Sequence, residues 1–312
     1  MHSSEHGELV RTRATSLCEH KTLPSDGEVC APDLGGRSTR GSNYHSGVAN
    51  ASTVTLESGL RLSYAAQGAG SNPAVVLLPG PTDSWRSYQP ILERLPPDLR
   101  VMAVSQRGHG DSDKPQVGYS VNDFAADVVS LLDVLGIERA VLAGHSGACL
   151  VARRVALDHR ERVAGLILEA SPTTLRDHAG LTAFVDLVSG LQDPISPDFV
   201  RSFLLDTSSD GVAVAFLEQL VNETLKVPAR VWQAMFTDLL QYDDTAELKR
   251  IWAPTLLLWG DNDALVSRDM QDELASHIPN ADLLVYTGVG HTPRWEDPSR
   301  FSRDLAAFAQ RN

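Results

Sequence analysis

The chain has 312 residues, of which 42% are hydrophobic, and its net charge at pH 7 is −13. This length allows one large domain with a buried core, and the acidic balance argues against nucleic acid or an anionic membrane as partners, since both need a basic surface. No apolar run approaches the roughly 20 residues that span a bilayer, and the N-terminus lacks the apolar segment of a signal peptide, so we expect a cytoplasmic location.

Residues 1–50 are rich in Ser, Gly, Thr, Arg and Glu and show no sustained hydrophobic period. We therefore expect them to form a disordered N-terminal extension. Three cysteines do not make a disulfide framework, and Cys149 is expected to be a small buried residue. The folded domain is expected at 51–312, where two strand-like segments flank Ser58-Gly59 in the pattern of a β-hairpin.

Beyond the hairpin, strand-like and helix-like segments alternate, which is typical of a parallel sheet covered by helices on both faces. Short apolar runs predict buried strands at 74–78, 101–105, 140–144, 163–168, 254–259 and 282–286. The clearest helix follows Ser120, which forms a capping-box pattern with Asp123, and it ends at Gly136.

The interval between the strands at 163–168 and 254–259 is too long for a simple strand–helix–strand crossover. Residues 172–248 contain several apolar-periodic pieces separated by proline and glycine. They predict a helical cap inserted over the strand ends, where open α/β sheets bind ligands. Such a cap would set substrate choice and exclude water.

A sharp strand-to-helix corner carries the strongest signal in the chain. The apolar strand at 140–144 ends in Gly144-His145-Ser146-Gly147-Ala148, which is the G-x-S-x-G pattern with Ala148 in place of the last glycine. A serine hydroxyl is a poor nucleophile unless a base removes its proton, so a histidine and a carboxylate must follow. Both follow after strand ends, in Gly260-Asp261-Asn262-Asp263 and in Gly288-Val289-Gly290-His291.

The chain order Ser–Asp–His resembles that of the α/β-hydrolase superfamily and differs from that of other serine-triad folds. The segments 75–85 and 105–112 look like the family's loops after the third and fourth strands, and the resemblance covers roughly residues 52–312. It implies an α/β-hydrolase fold, with a mostly parallel eight-stranded sheet, helices on both faces and an inserted helical cap.

The resemblance also implies catalytic roles. Ser146 would be the nucleophile, and His291 the general base and then the general acid. Asp263 would orient the histidine, because in the family pattern Gly-x-x-Asp the acid is the third residue beyond the glycine, which favours it over Asp261. Some members place the acid where Glu169 stands, so Glu169 is an alternative.

The oxyanion hole departs from the family pattern. One donor would be the Gly147 N–H, and the second usually follows a His-Gly pair. Here the loop reads Pro79-Gly80-Pro81-Thr82, and Pro81 at the donor position has no N–H. Either Thr82 is the donor after a one-residue slip, or a side chain of Thr82 or Trp85 substitutes, or the hole is half-built at a cost of about 10²–10³ in rate.

The leading hypothesis is a serine hydrolase that needs no cofactor and no metal and cleaves a carboxylic ester, lactone or related acyl bond in a small to medium, largely apolar substrate. Epoxide hydrolases and haloalkane dehalogenases resemble the chain but carry an aspartate at the elbow, so Ser146 argues against both. Carbon–carbon bond hydrolases and cofactor-free haloperoxidases keep the triad and remain open, as does a ligand receptor on a hydrolase fold. Candidate substrate-binding residues are Trp85, His145, Glu169 and Trp295.

Overall fold

A computed structural model of the protein describes residues 51–70, 73–208 and 212–312, so the extension predicted at 1–50 lies outside the described residues. Within them, eight strands form one sheet. The strands are β1 (Ala51–Thr55), β2 (Arg61–Gln67), β3 (Ala74–Leu78), β4 (Val101–Val104), β5 (Ala140–His145), β6 (Val163–Glu169), β7 (Thr255–Gly260) and β8 (Ala281–Tyr286).

The strand order in the sheet is β1-β2-β4-β3-β5-β6-β7-β8. The predicted hairpin supplies the two antiparallel strands, with Val54 opposite Leu62, and β2 also runs antiparallel to β4. All other neighbours are parallel. The predicted fold class is therefore confirmed, and the carboxyl ends of β3 to β8 meet at one edge of the sheet.

Helices cover the sheet and its carboxyl edge. They are α1 (Gln89–Leu92), α2 (Val121–Val134), α3 (Ala148–Asp158), α4 (Ala179–Ser189), α5 (Pro197–Asp206), α6 (Val214–Thr224), α7 (Ala229–Gln241), α8 (Arg268–His277), α9 (Pro293–Glu296) and α10 (Pro298–Ala309). Among the described residues, no helix has the length and apolarity that crossing a membrane requires.

The core lies on both faces of the sheet, because successive strand residues point to opposite sides. On β3, Val76 and Leu78 join the hydrophobic cluster that contains α2, α3 and the helices α4 to α7. Val75 and Leu77 join a second cluster with α1 and α10, which includes Phe301. Both faces of the central strands are thus buried, which explains why their sequences are continuous apolar runs.

Helix α2 begins as its sequence predicts. The Ser120 hydroxyl accepts a hydrogen bond from the Asp123 N–H at 3.2 Å, and the Asp123 carboxylate accepts one from the Ser120 N–H at 2.9 Å. The next N–H, that of Val121, donates at 2.8 Å to the Asp238 carboxylate on α7. This bond ties α7 to the sheet-covering layer.

Four helices, α4 to α7, occupy the interval predicted for the cap. An aromatic cluster joins α4, α5 and α7: the Phe203 ring centroid lies 5.0 Å from that of Trp232, and the Phe184 centroid lies 4.9 Å from that of Phe236. Helix α7 covers the strand-to-helix corner, since a methyl group placed on Gly147 would lie 3.2 Å from a Leu239 methyl carbon. The helices therefore roof the carboxyl edge of the sheet.

Candidate active site

The predicted nucleophile lies at a strained corner. Ser146 separates β5 from α3 and has φ of 52°, a left-handed conformation that costs a residue other than glycine about 1–2 kcal/mol. Two backbone hydrogen bonds hold it: the Ser146 N–H donates to the Glu169 carbonyl at 2.9 Å, and its carbonyl accepts from the Cys149 N–H at 2.9 Å. Ser146 is only partly buried. The fold thus maintains backbone strain at Ser146 and leaves the residue partly accessible.

Gly144 makes this corner possible. A methyl group at Gly144 would lie 2.7 Å from the Ala148 carbonyl oxygen, a distance that carbon atoms do not reach. The first turn of α3 can therefore pack directly against the end of β5 only because residue 144 has no side chain. This close approach is the physical reason for small residues around the serine.

Asp263 and His291 are brought together at the ends of β7 and β8. The Asp263 Oδ2 lies 2.8 Å from the His291 Nδ1, and both side chains are buried. The Asp263 Oδ1 accepts hydrogen bonds from the N–H groups of Leu265 at 2.8 Å and Val266 at 3.0 Å. A carboxylate that accepts at Nδ1 fixes the tautomer, so Nε2 is the ring nitrogen available as a base.

Among the hydrogen bonds of the described residues, none joins Ser146 to His291. Such a bond often tightens only when a substrate is bound. The Asp263–His291 pair and the strained serine nevertheless follow strands that end at the same edge of one sheet, β7 and β8 for the pair and β5 for the serine.

The two competing carboxylates have other partners. Asp261 accepts a hydrogen bond from the Gly288 N–H at 2.6 Å and so braces the loop that precedes His291. Glu169 is buried and accepts from the Arg294 N–H at 3.0 Å and from the Arg294 Nη1 at 3.2 Å. Neither carboxylate bonds to the histidine, which favours Asp263 as its partner.

Arg294 is the centre of a buried ionic cluster that no local sequence pattern predicts. Its guanidinium is fully buried and also donates to the Asp83 carboxylate at 2.8 Å. It lies over the rings of Tyr88 and Trp295, with centroid distances of 5.2 and 4.5 Å. Burial raises the pKa of Asp83 to about 6 and also raises that of Glu169, while the Arg294 charge opposes both changes. The cluster joins the loop after β3 and the end of β6 to helix α9, which begins two residues after His291.

The predicted oxyanion loop forms a tight turn facing the elbow. The Asp83 N–H donates to the Gly80 carbonyl at 3.1 Å, with Pro81 and Thr82 at the corners. Thr82 is fully buried with φ of 72°, as the third residue of a type II turn requires. A methyl group on Gly147 would lie 2.9 Å from the Pro81 Cγ, so the proline ring packs directly against Gly147. Within the described part of the chain, the N–H groups of Gly147 and Thr82 have no protein acceptor, and the Thr82 hydroxyl has no partner.

His145 packs against His291. It is buried, its Nε2 lies 3.0 Å from the His291 carbonyl oxygen, and the two rings are 4.9 Å apart. Burial, reinforced by the nearby Arg294 charge, holds the pKa of His145 well below its usual value, so the ring is neutral. Its other face meets Gly80, where any side chain would clash with the Nδ1. These contacts favour a packing role over the predicted substrate contact.

The two tryptophans predicted to bind substrate are core residues. Trp85 packs in the second hydrophobic cluster, on the other face of the sheet from the cap. Trp295 donates its indole N–H to the Ser87 carbonyl at 2.7 Å and packs edge-on against Phe216 of α6. Like Glu169, neither lines the cleft beside the elbow. Their positions favour structural roles, which the strand-end pattern alone does not distinguish from substrate contacts.

A cleft open to solvent lies beside Ser146, and its empty space of about 290 Å³ includes part of that opening. Gly147, Ala148 and Pro81 line it next to the elbow, and Met235, Asp238 and Leu239 line it from α7. Its other walls are aliphatic and aromatic side chains, except for Gln106. The described residues contain no group of three or more His, Cys, Asp or Glu side chains placed to hold a metal ion.

The comparisons with known proteins agree with this architecture. The family model described as alpha/beta hydrolase fold matches residues 73–298. The 2-hydroxy-6-oxononadienedioate/2-hydroxy-6-oxononatrienedioate hydrolase of Burkholderia vietnamiensis is 31% identical over 272 residues, which cover 81% of this chain and 92% of that protein. Epoxide hydrolase 4 of Mus musculus is 28% identical over 277 residues, covering 81% and 77%. The solved structure of the esterase RhEst1 from Rhodococcus sp. ECU1013 is 25% identical with a TM-score of 0.73, covering 83% and 98%.

The fold and these relatives define a hydrolase. The chain belongs to the α/β-hydrolase fold family. The relatives named above differ in the bond that their names indicate, so family membership leaves the substrate open.

Proposed function

We propose that this protein is a serine hydrolase that cleaves a carboxylic ester or lactone through an acyl-enzyme on Ser146, with no cofactor. The observation that supports this most strongly is the Asp263–His291 pair, 2.8 Å apart, at the strand ends beside a serine held at φ of 52°. An orienting carboxylate, a base with a free Nε2 and an outward-facing serine are the parts that acyl transfer requires.

In the first half of the reaction, the Ser146 Oγ attacks the substrate carbonyl while His291 Nε2 takes its proton. The Asp263 carboxylate stabilises the resulting imidazolium. The negative charge on the carbonyl oxygen is stabilised by the Gly147 N–H and by Thr82 on the facing turn. When the tetrahedral intermediate collapses, His291 returns the proton to the leaving alkoxide, and the acyl group remains on Ser146.

In the second half, a water molecule loses a proton to His291 Nε2 and attacks the acyl-enzyme. The second tetrahedral intermediate uses the same oxyanion donors. Its collapse releases the carboxylic acid, and His291 returns the proton to Ser146. The helices α4 to α7 above the cleft would limit the access of bulk water and select the substrate.

Two of the activities among the relatives fit the site less well. Ser146 occupies the elbow position at which epoxide hydrolases carry an aspartate, so an epoxide substrate is disfavoured. The Burkholderia relative is named for a dienedioate, a doubly acidic compound. The cleft of this chain is lined by Asp238 and, among the described residues, by no Lys or Arg. An ester or lactone therefore fits better than a dicarboxylate.

The test is covalent labelling with a fluorophosphonate probe together with turnover of a panel of p-nitrophenyl esters. We expect both in the wild-type protein and neither in Ser146→Ala. Ser276→Ala on α8 is the matched control, since Ser276 is exposed and remote from the elbow, and it should keep both. Tight binding of a small ligand without labelling or turnover would instead support a receptor on a hydrolase fold.

A further inference from the structure

The cleft beside the elbow is on the oxyanion side of the site. Its lining includes Gly147, Ala148 and Pro81, whereas the loop that carries His291 does not contribute to it. A leaving group must receive its proton from His291 and so must lie on the opposite side of the reacting carbonyl. The cleft is therefore placed to hold the acyl part of the substrate.

Most of the cleft is apolar, which suits a hydrocarbon chain. The apolar walls come from the sheet-covering helices α2 and α3 and from α7 above them, and they include Phe124, Val151, Met235 and Leu239. Burying methylene groups against such walls is favourable because it removes apolar surface from water. A pocket of this kind usually has a few polar groups that fix the ligand's orientation.

Gln106 is the first of two hydrogen-bond acceptors in this apolar surface. Its amide Nε2 donates to the Pro79 carbonyl at 3.1 Å, which orients the side chain. The Oε1 is buried and has no hydrogen-bond partner among the described residues, and the residue is only 8% exposed. A buried acceptor without a partner has already lost its water, so a ligand that donates a hydrogen bond to it gains stability.

Asp238 is the second acceptor. One of its carboxylate oxygens accepts from the Val121 N–H at 2.8 Å, and this bond fixes the side chain at the start of α2. No Lys, Arg or His side chain among the described residues forms an ion pair with it, although it lines the cleft. A carboxylate in this position attracts a hydroxyl or ammonium group and repels a second carboxylate.

From these contacts we infer that the cleft binds an acyl chain that carries a hydrogen-bond donor, a hydroxyl or an ammonium group, recognised by Gln106 and Asp238. This inference rests on the proposed function and specifies its substrate class. It also implies that substrates with a distal carboxylate are rejected. The two polar residues would be specificity determinants, because they contact the acyl chain and not the reacting carbonyl.

The experiment compares p-nitrophenyl esters that differ only at the far end of the acyl chain. The acyl groups are nonanoyl, 8-hydroxyoctanoyl, 8-aminooctanoyl and the monoacyl group of suberic acid, assayed at pH 8. Burial raises the pKa of Asp238, so an alkaline assay pH is used to favour its ionised form. We expect kcat/KM for the hydroxyl or the amino ester to exceed that of the nonanoyl ester by about tenfold, as a hydrogen bond to a charged acceptor allows. The suberyl ester should be the poorest substrate, by about 100-fold.

Variants assign the selectivity to the two side chains. Asp238→Asn retains an oxygen for the Val121 N–H but removes the charge, so it should raise kcat/KM for the suberyl ester about tenfold relative to the nonanoyl ester. Gln106→Met should reduce the preference for the hydroxyl ester. Asp198→Asn removes a carboxylate from the exposed surface of α5 and should leave the ratios unchanged. Ratios within one variant are used, so a general loss of folding or activity does not alter the conclusion.

Two results would overturn the inference. One is equal kcat/KM for the donor-bearing and nonanoyl esters, and the other is a suberyl ester that remains as poor a substrate in Asp238→Asn as in the wild type. A second measurement separates this failure from that of the proposed function. Thermal stabilisation of Ser146→Ala by 8-hydroxyoctanamide, 8-aminooctanamide, nonanamide and suberic monoamide reports cleft selectivity without turnover. If the donor-bearing amides bind best but no ester is hydrolysed, the acyl-transfer proposal fails while the cleft assignment stands.

Discussion

Replacing Arg294 by methionine removes the only positive charge that contacts Asp83 and Glu169 in the described structure. Arg294 and both carboxylates are at least 95% buried, and the contacts are 2.8 and 3.2 Å long. Removing one member of a buried ion pair leaves a desolvated charge and costs about 3–5 kcal/mol. We expect Arg294→Met to lower the free energy of unfolding by that amount at pH 7, measured by urea denaturation.

The loss should depend on pH in a particular direction. Without Arg294, burial raises the pKa of Asp83 beyond its wild-type value of about 6, and it also raises that of Glu169 further. Groups whose folded pKa exceeds their unfolded pKa bind more protons when folded, so stability falls as pH rises above about 4. The deficit of Arg294→Met relative to wild type should therefore be smaller at pH 5 than at pH 7.

Two further variants make this reasoning refutable. Arg268→Met removes an arginine from an exposed ion pair with Asp272 and should change stability by no more than about 0.5 kcal/mol. Adding Asp83→Asn and Glu169→Gln to Arg294→Met should recover most of the loss, because no unpaired charge is then buried. A deficit that is equal at pH 5 and pH 7, and that neutralising the carboxylates does not relieve, would show that the cost arises from packing and not from charge.

The strained elbow, the oxyanion turn and a buried histidine give three more expectations. Ser146→Gly should melt about 2 °C above Ser146→Ala, because glycine adopts positive φ without strain; equal melting temperatures would contradict the strain at 146. If the Thr82 backbone N–H is the second oxyanion donor, Thr82→Val should keep kcat/KM within about threefold, whereas a loss of about 100-fold would assign that role to the Thr82 hydroxyl. The variant Pro81→Ala adds a backbone N–H to the turn, so it should increase kcat only if the wild-type oxyanion hole lacks its second donor. Burial lowers the pKa of His109 to about 4, below the 6.5 of an exposed histidine. The free energy of unfolding should therefore be unaffected by this group above pH 6.5 and should fall by about 2 kcal/mol at pH 5, where the unfolded chain binds the proton and the folded protein does not. Measured by urea denaturation, the free energy of unfolding of His109→Asn should fall less between pH 6.5 and pH 5 than that of the wild type. His277 is exposed, so His277→Asn should show the same fall as the wild type.

The fold could be predicted from the sequence because local patterns determine it. The buried strands are continuous apolar runs bounded by turn residues, and the capping box at Ser120 forms as its sequence predicts. The pairing of His291 with Asp263 was implied by the resemblance, through the Gly-x-x-Asp pattern, and the rule that parallel strands end at one edge explains why the two can meet. These inferences need only periodicity and topology, which a single sequence contains.

The roles of Trp85, His145 and Glu169 could not be predicted in the same way. A residue at a strand end can face the cleft or the layer behind it, and only the packed structure distinguishes the two. Arg294 shows the same limit, because an arginine three residues after a histidine has the appearance of a surface residue until Asp83 and Glu169, each more than 120 positions away, are placed against it. Contacts over such separations leave no local pattern.

The Arg294 cluster and the oxyanion turn are parts of one arrangement. Asp83 is adjacent to Thr82 in sequence, and its carboxylate is held by Arg294 of α9, three residues after His291. A single buried guanidinium therefore links the turn at Pro81 and Thr82 to the segment that carries His291. His145 links the same two segments, since it lies against Gly80 and its ring centroid is 4.9 Å from that of His291. If Thr82 is the second oxyanion donor, as we propose, Arg294 and His145 are the side chains that hold it in place relative to His291.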